Sequence, residues 1–238
     1  ATCYAMRVAR AFRGRDRVLK FEGGYHGMNE YALMSQSPVQ PPDFPAALAD
    51  SAGIPTAICD DVLVAPFNDV DTTTRILEEH HDTLGGVIVE PLQRLVCPQG
   101  DFLSRVREVT AHYGIPLIFD EVVTGFRLAY GGAQEYYQVV PDLCVLGKVL
   151  AGGFPLAAVA GRSEIMACFD PSRASPGTFV PQIGTFNGNP VAAVAGLATL
   201  ELLRAPGSYD RLFCTGRQLM SGLQELLDQA GLAAQVVG

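Results

Sequence analysis

The chain has 238 residues, 48% of them hydrophobic and 18% charged, a composition that excludes a largely disordered chain and supplies a sizeable core. Seventeen basic residues against 25 acidic ones leave a formal charge of -8, which repels nucleic acid and anionic membrane surfaces. No apolar run is long enough to span a bilayer, and the N-terminus lacks the pattern of a secretory signal.

Residues 1–12 read as a helix with Ala5, Val8, Ala9 and Phe12 on one face and Gly14 as its stop. The chain opens on this helix without an initiator Met, so it is expected to be a fragment or a trimmed product. A short strand over 17–21 leads into Glu22-Gly23-Gly24-Tyr25-His26-Gly27, whose glycines permit tight turns or close approach to a ligand. Residues 35–55 hold Pro38, Pro41, Pro42, Pro45 and Pro55 and are expected to be irregular, with a short helix over 44–49.

From residue 62 the pattern alternates. Strands are expected at 62–65, 85–89, 116–119, 143–146 and 156–160, and amphipathic helices at 71–81 and 101–113, the latter capped by Asp101. Helices over 191–203 and 211–230 follow Asn189-Pro190 and the Pro206-Gly207 break. Short, fully apolar strands separated by helices imply an α/β fold with a mostly parallel sheet covered on both faces.

In such a sheet, ligands bind beyond the carboxyl ends of the strands, where Glu90, Asp120 and Lys148 stand. The chain has 15 arginines and only two lysines, Lys20 and Lys148, and Lys148 lies between glycines in Gly147-Lys148-Val149-Leu150-Ala151-Gly152-Gly153. Partial desolvation there would favour a neutral, nucleophilic amine. The residue could equally mark the wet end of a strand. Asp120 follows the apolar Leu117-Ile118-Phe119 and needs a partner if buried, for which a protonated ring nitrogen would serve. Its alternative is a helix cap. Val122 falls on the same side as Asp120 by the two-residue strand period and could support a ring face, with Tyr25 offering a flat face opposite. His26 could bond a cofactor or substrate, or simply order its turn.

The four histidines show no zinc spacing, and His80 and His81 suit a helix C-terminus. The six cysteines form no CxxC pair; they read as small buried residues of a protein in a reducing, cytoplasmic setting. Gly184-Thr185-Phe186-Asn187-Gly188-Asn189-Pro190 enters a helix and can receive phosphate through Thr185 and backbone N–H groups, although it matches no nucleotide motif.

Five segments together resemble class III aminotransferases, the fold-type I pyridoxal-phosphate enzymes that include ornithine and acetylornithine aminotransferases and glutamate-1-semialdehyde aminomutase. They are Phe21-Glu22-Gly23-Gly24-Tyr25-His26-Gly27, Val89-Glu90-Pro91, Phe119-Asp120-Glu121-Val122-Val123-Thr124-Gly125-Phe126-Arg127, Gly147-Lys148 with Gly152-Gly153-Phe154-Pro155, and the loop 184–190. The resemblance implies the large domain of a fold-type I transferase over residues 1–205, lacking its N-terminal part, and the start of a small C-terminal domain over 206–238.

By the same resemblance the cofactor is pyridoxal 5'-phosphate, held as a Schiff base by Lys148, which also shuttles a proton. Asp120 pairs with the pyridinium nitrogen, Tyr25 and Val122 take opposite ring faces, His26 and Glu90 join the cofactor site, and Thr185 binds phosphate from the neighbouring subunit of a homodimer. The implied activity is transfer of an amino group between small-molecule amine and carbonyl substrates, with no nucleic-acid or membrane partner. Glutamate-1-semialdehyde 2,1-aminomutase is the alternative, and a truncated binding or structural module the alternative of another class. Within the family, residues 120–127 look like the aminomutase branch. Glu90-Pro91-Leu92-Gln93-Arg94-Leu95 departs from its Glu-Pro-Val-Ala-Gly-Asn. A Ser-Gly-Thr-type phosphate loop before the first helix is not in the chain, so the piece alone is expected to bind cofactor poorly.

Overall fold

The computed structural model describes residues 1–37 and 43–237. In chain order the elements are α1 (Thr2–Arg13), β1 (Arg17–Phe21), α2 (Thr56–Cys59), β2 (Val62–Ala65), α3 (Val70–His80), β3 (Leu84–Val89), α4 (Phe102–His112) and β4 (Leu117–Glu121). They continue with α5 (Gly132–Tyr136), β5 (Leu143–Leu146), β6 (Ala158–Gly161), α6 (Ser163–Met166), α7 (Pro190–Arg204) and α8 (Ser208–Gln229).

The strands form one sheet in the order β2-β1-β3-β4-β5-β6. All neighbours are parallel except β5 and β6. The expected α/β architecture is present, and each expected strand appears within two residues of its place. Alternation along the strands sorts the core into two layers. Leu19, Phe21, Val87, Val89, Leu117 and Phe119 face α3 and α4, meeting Ile76, Leu77, Phe102 and Val106. Val18, Ile88, Ile118, Leu143 and Val145 face the other way, against Ala5, Met6, Val8 and Ala9 of α1. Gly86 permits that second packing, because a Cβ there would stand 3.1 Å from the Ala9 methyl. One residue beyond Phe119, strand parity turns Asp120 toward the α1 side.

Three local expectations are corrected. Residues 44–49 form no helix: Ala46 makes an antiparallel bridge to Leu63, and Val64 N–H donates to the Pro45 carbonyl at 2.9 Å, so the segment covers the exposed edge of β2. Asp101 occupies the N-cap of α4 but makes no side-chain cap bond. Asp120 starts no helix, since β4 runs on through Glu121 into turns. Of the prolines, Pro38, Pro41 and Pro42 lie outside the described residues. Asn189 does cap α7, accepting from Val191 N–H at 2.9 Å with Pro190 in the first turn. Among the described residues no helix is long and apolar enough to cross a membrane, and no cluster of three or more His, Cys, Asp or Glu side chains could hold a metal ion.

Candidate active site

The carboxyl ends of β1, β3, β4 and β5 deliver side chains to one cavity of about 270 Å³ beside the N-terminus of α1. Its walls include Thr2, Tyr25, His26, Glu90, Asp120, Val122 and Lys148. Six of the seven site residues expected from sequence are therefore brought together. The seventh, Thr185, is exposed on the turn before α7 and lies outside this cavity. A larger cavity of about 510 Å³ lies around Phe126, Tyr130 and Leu146. Its one carboxylate, Glu135, is already bonded to Gly131 N–H at 2.6 Å, so chemistry rather than size selects the smaller cavity.

Asp120 is 5% exposed and finds its partner within the protein. His26 Nδ1–H donates to its Oδ2 at 2.8 Å, and Val122 N–H donates to Oδ1 at 3.2 Å. His26 thus both lines the cavity and supports the Asp120 carboxylate. The His26 carbonyl is fixed in turn by Thr2 Oγ1, at 2.7 Å. Glu90 accepts from Tyr25 N–H at 2.8 Å, which ties the end of β3 to the aromatic residue. Burial pushes the Glu90 carboxyl above its usual range, opposed by His26 and by the Tyr25 N–H. Tyr25 remains 43% exposed, with its face available.

Lys148 follows β5 and Gly147, at the start of a 3-10 turn, and holds φ 42. Its side chain is exposed in this chain, so placement at the cavity rather than desolvation distinguishes it. A lysine at positive φ is uncommon and costs backbone energy, a pattern concentrated at functional sites.

Sequence reasoning missed the second lysine. Lys20, 1% exposed on β1, donates its Nζ hydrogens to the carbonyls of Gly24 at 2.9 Å, Ala32 at 3.4 Å and Met34. It cinches the segment that carries Tyr25 and His26. The available signal was a lysine inside the apolar run Val18-Leu19-Lys20-Phe21. Gln93 was missed as well: it is buried and donates Nε2 to the Glu22 carbonyl at 2.7 Å. Gly24 is required beside it, since a Cβ there would press to 3.1 Å from His26 Nε2 and 3.3 Å from Gln93 Oε1.

Burial lowers the Lys20 pKa from 10.5 to about 8, against the pull of Asp50 and Glu90 and with a further push from Arg94. The unfolded chain then holds this proton up to about pH 10.5 and the folded chain only to about 8. Between those values the unfolded state binds more protons, so this group makes stability rise with pH, and below about 8 its cost is constant. Urea unfolding at pH 8 and pH 10 is expected to show wild type gaining on Lys20→Met as pH rises. A pH-independent gap between the two proteins would contradict the assignment.

A family model described as aminotransferase class-III matches residues 1–238. Among curated relatives, the chain is 46% identical over 241 residues to the glutamate-1-semialdehyde 2,1-aminomutase of Methanothermobacter thermautotrophicus, an alignment that covers 100% of this chain and 55% of that protein. Among solved structures, an omega-transaminase from Sphaerobacter thermophilus superposes with a TM-score of 0.93 at 44% identity, covering 100% of this chain and 55% of the other. A second, described as a transaminase with PLP bound, gives 0.89 at 31% identity over 99% of this chain and 55% of its own. The chain thus spans about half the length of the curated relatives it matches.

Proposed function

This chain belongs to the class-III aminotransferase family, and on that premise we propose that it forms the core of a site that uses pyridoxal 5'-phosphate to move an amino group between an amine and a carbonyl compound. The observation that carries the reading is the meeting of Lys148, Asp120, Tyr25 and Val122 at one cavity. These residues fit the cofactor. Lys148 supplies a primary amine to hold it, Asp120 a buried carboxylate for a protonated ring nitrogen, and Tyr25 and Val122 an aromatic and an aliphatic surface for a flat ring. The N-terminus of α1 also lines the cavity, and the N–H groups of a helix start suit a phosphate.

When bound, the cofactor acts as the electron sink for charge that develops on the substrate carbon. The protein's part is to hold and move protons and to fix geometry. Lys148 would hold the cofactor through its Nζ, and as a free amine at the same cavity it would be placed to take a proton from the substrate carbon and give it back. Asp120 keeps a negative charge at the ring nitrogen, and His26 holds that carboxylate in place. Glu90 and Lys20 fix the Tyr25 segment from two sides.

Thr185 stands outside the cavity of its own chain, on a turn that exposes the apolar Ile183 and Phe186; we assign it to the phosphate of a neighbouring subunit in a homodimer. We further assign residues 1–205 to the large domain and 206–238 to the start of a small one, with the break at Pro206-Gly207 between α7 and α8. Buried, unpaired Cys144 and Cys168 favour a reducing cytoplasm.

Similarity to curated aminomutases supports a second reading, internal transfer within glutamate-1-semialdehyde. The test is borohydride reduction of the protein that carries this chain, loaded with pyridoxal phosphate, followed by peptide mapping. The expected label is on Lys148; a label elsewhere, or none, defeats both readings. Formation of 5-aminolevulinate from glutamate-1-semialdehyde without an added acceptor would select the aminomutase.

A further inference from the structure

A second cavity, of about 300 Å³, lies beside the first and shares Tyr25, Glu90 and Val123 with it. Its other walls are Leu92, Arg94 and Leu95. Arg94 and Leu95 are the central residues of a turn closed by reciprocal backbone bonds, Gln93 N–H to the Val96 carbonyl at 3.1 Å and Val96 N–H to the Gln93 carbonyl at 2.8 Å. They hold φ 47 and φ 69. Two-residue turns with both centres at positive φ are the habit of Asn and Gly; Arg and Leu occupy them at a cost. The buried Gln93 side chain, bonded to the Glu22 carbonyl, anchors the turn against that cost.

Strain kept beside an active site implies a return elsewhere, and here the turn sets two side chains on the cavity wall. Leu95 extends the apolar surface of Leu92 and Val123, although it is itself 53% exposed. Arg94 makes no ion pair and no side-chain hydrogen bond among the described residues, so its five donors are free for an anion. Glu90, the other charge in the cavity, accepts from Tyr25 N–H and feels the Arg94 charge without forming an ion pair with it.

We propose that the Gln93–Val96 turn determines substrate choice, Leu92, Leu95 and Val123 receiving a bulky apolar substituent of the amine and Arg94 its carboxylate. The substrate class is an amino acid whose amine-bearing carbon carries an apolar group of about phenyl size. This inference rests on the amino-transfer reading of the Lys148 cavity.

The first half-reaction, followed by cofactor absorbance in the loaded protein that carries this chain, tests it with 3-amino-3-phenylpropanoate, 3-aminobutanoate and 1-phenylethylamine. Wild type is expected to favour the first over both others. Arg94→Met should lower the kcat/KM ratio of 3-amino-3-phenylpropanoate to 1-phenylethylamine about ten-fold or more, the worth of a charge-assisted contact. Leu95→Gly should lower the ratio of 3-amino-3-phenylpropanoate to 3-aminobutanoate about ten-fold. Because glycine accepts positive φ freely, it should also raise Tm by about 2 °C. A turn that only holds the fold together would give the opposite pair of results, a lower Tm and unchanged ratios, and that would overturn the inference while leaving amino transfer intact. If no amine changes the wild-type absorbance, the amino-transfer reading itself falls and this inference with it.

Discussion

Replacing Lys148 by alanine is expected to lower turnover by at least about 10⁴-fold, because one side chain is assigned two roles: it holds the cofactor covalently and moves the proton that converts amine to carbonyl. Stability should stay within about 0.5 kcal/mol of wild type, since Lys148 is exposed and makes no hydrogen bond or ion pair among the described residues. Both alanine and lysine bear a Cβ at φ 42, so the backbone cost is common to the two proteins. Lys148→Arg separates charge from chemistry: a guanidinium keeps the cation but neither condenses with a carbonyl nor gives up its proton near neutral pH. It should fail as completely as the alanine variant. Thermal melts alongside single-turnover measurements check the pair. Turnover within ten-fold of wild type in either variant would remove Lys148 from the mechanism.

How much of this site could be read in the sequence depends on which interactions leave a local mark. The strand ends did, because an apolar run that stops at Glu90, Asp120 or Lys148 tells where the sheet meets solvent and ligand. Partners distant in the chain did not. His26 reaches Asp120 across 94 residues, and Lys20 bonds carbonyls of a loop with no regular pattern of its own. Glu121 carries no local mark beyond standing next to Asp120, yet it is fully buried. Its carboxylate accepts from Ala133 N–H, from Gln134 N–H at 3.3 Å and from Thr124 Oγ1 at 3.0 Å. It thereby organises α5, a helix of five residues too short to show periodicity. The Arg94-Leu95 turn was hidden for a different reason. Positive φ is inferred from Asn and Gly, and this turn spends neither, so the segment registered only as a departure from a family pattern.

The Asp120–His26 pair supports the second large effect. Asp120→Asn preserves size and can still accept from Val122 N–H, but it withdraws the negative charge from the position proposed for the ring nitrogen. Electrostatic contributions of this kind, in a site shielded from water, are worth about 10² to 10³-fold in kcat, and retention of pyridoxal phosphate through dialysis should weaken with it. His26→Gln removes the ring that orients the carboxylate while leaving the charge, so its effect should be smaller. The two substitutions test a single chain of contact. If His26 works only by holding Asp120, the double variant should be little worse than Asp120→Asn alone, because nothing remains for His26 to orient. Residues that act independently would instead multiply their losses. The readouts are kcat and cofactor dissociation for all four proteins. Additive free energies in both would assign His26 a direct part of its own, whereas coupling would make it what the 2.8 Å bond to Asp120 indicates, the support of the carboxylate.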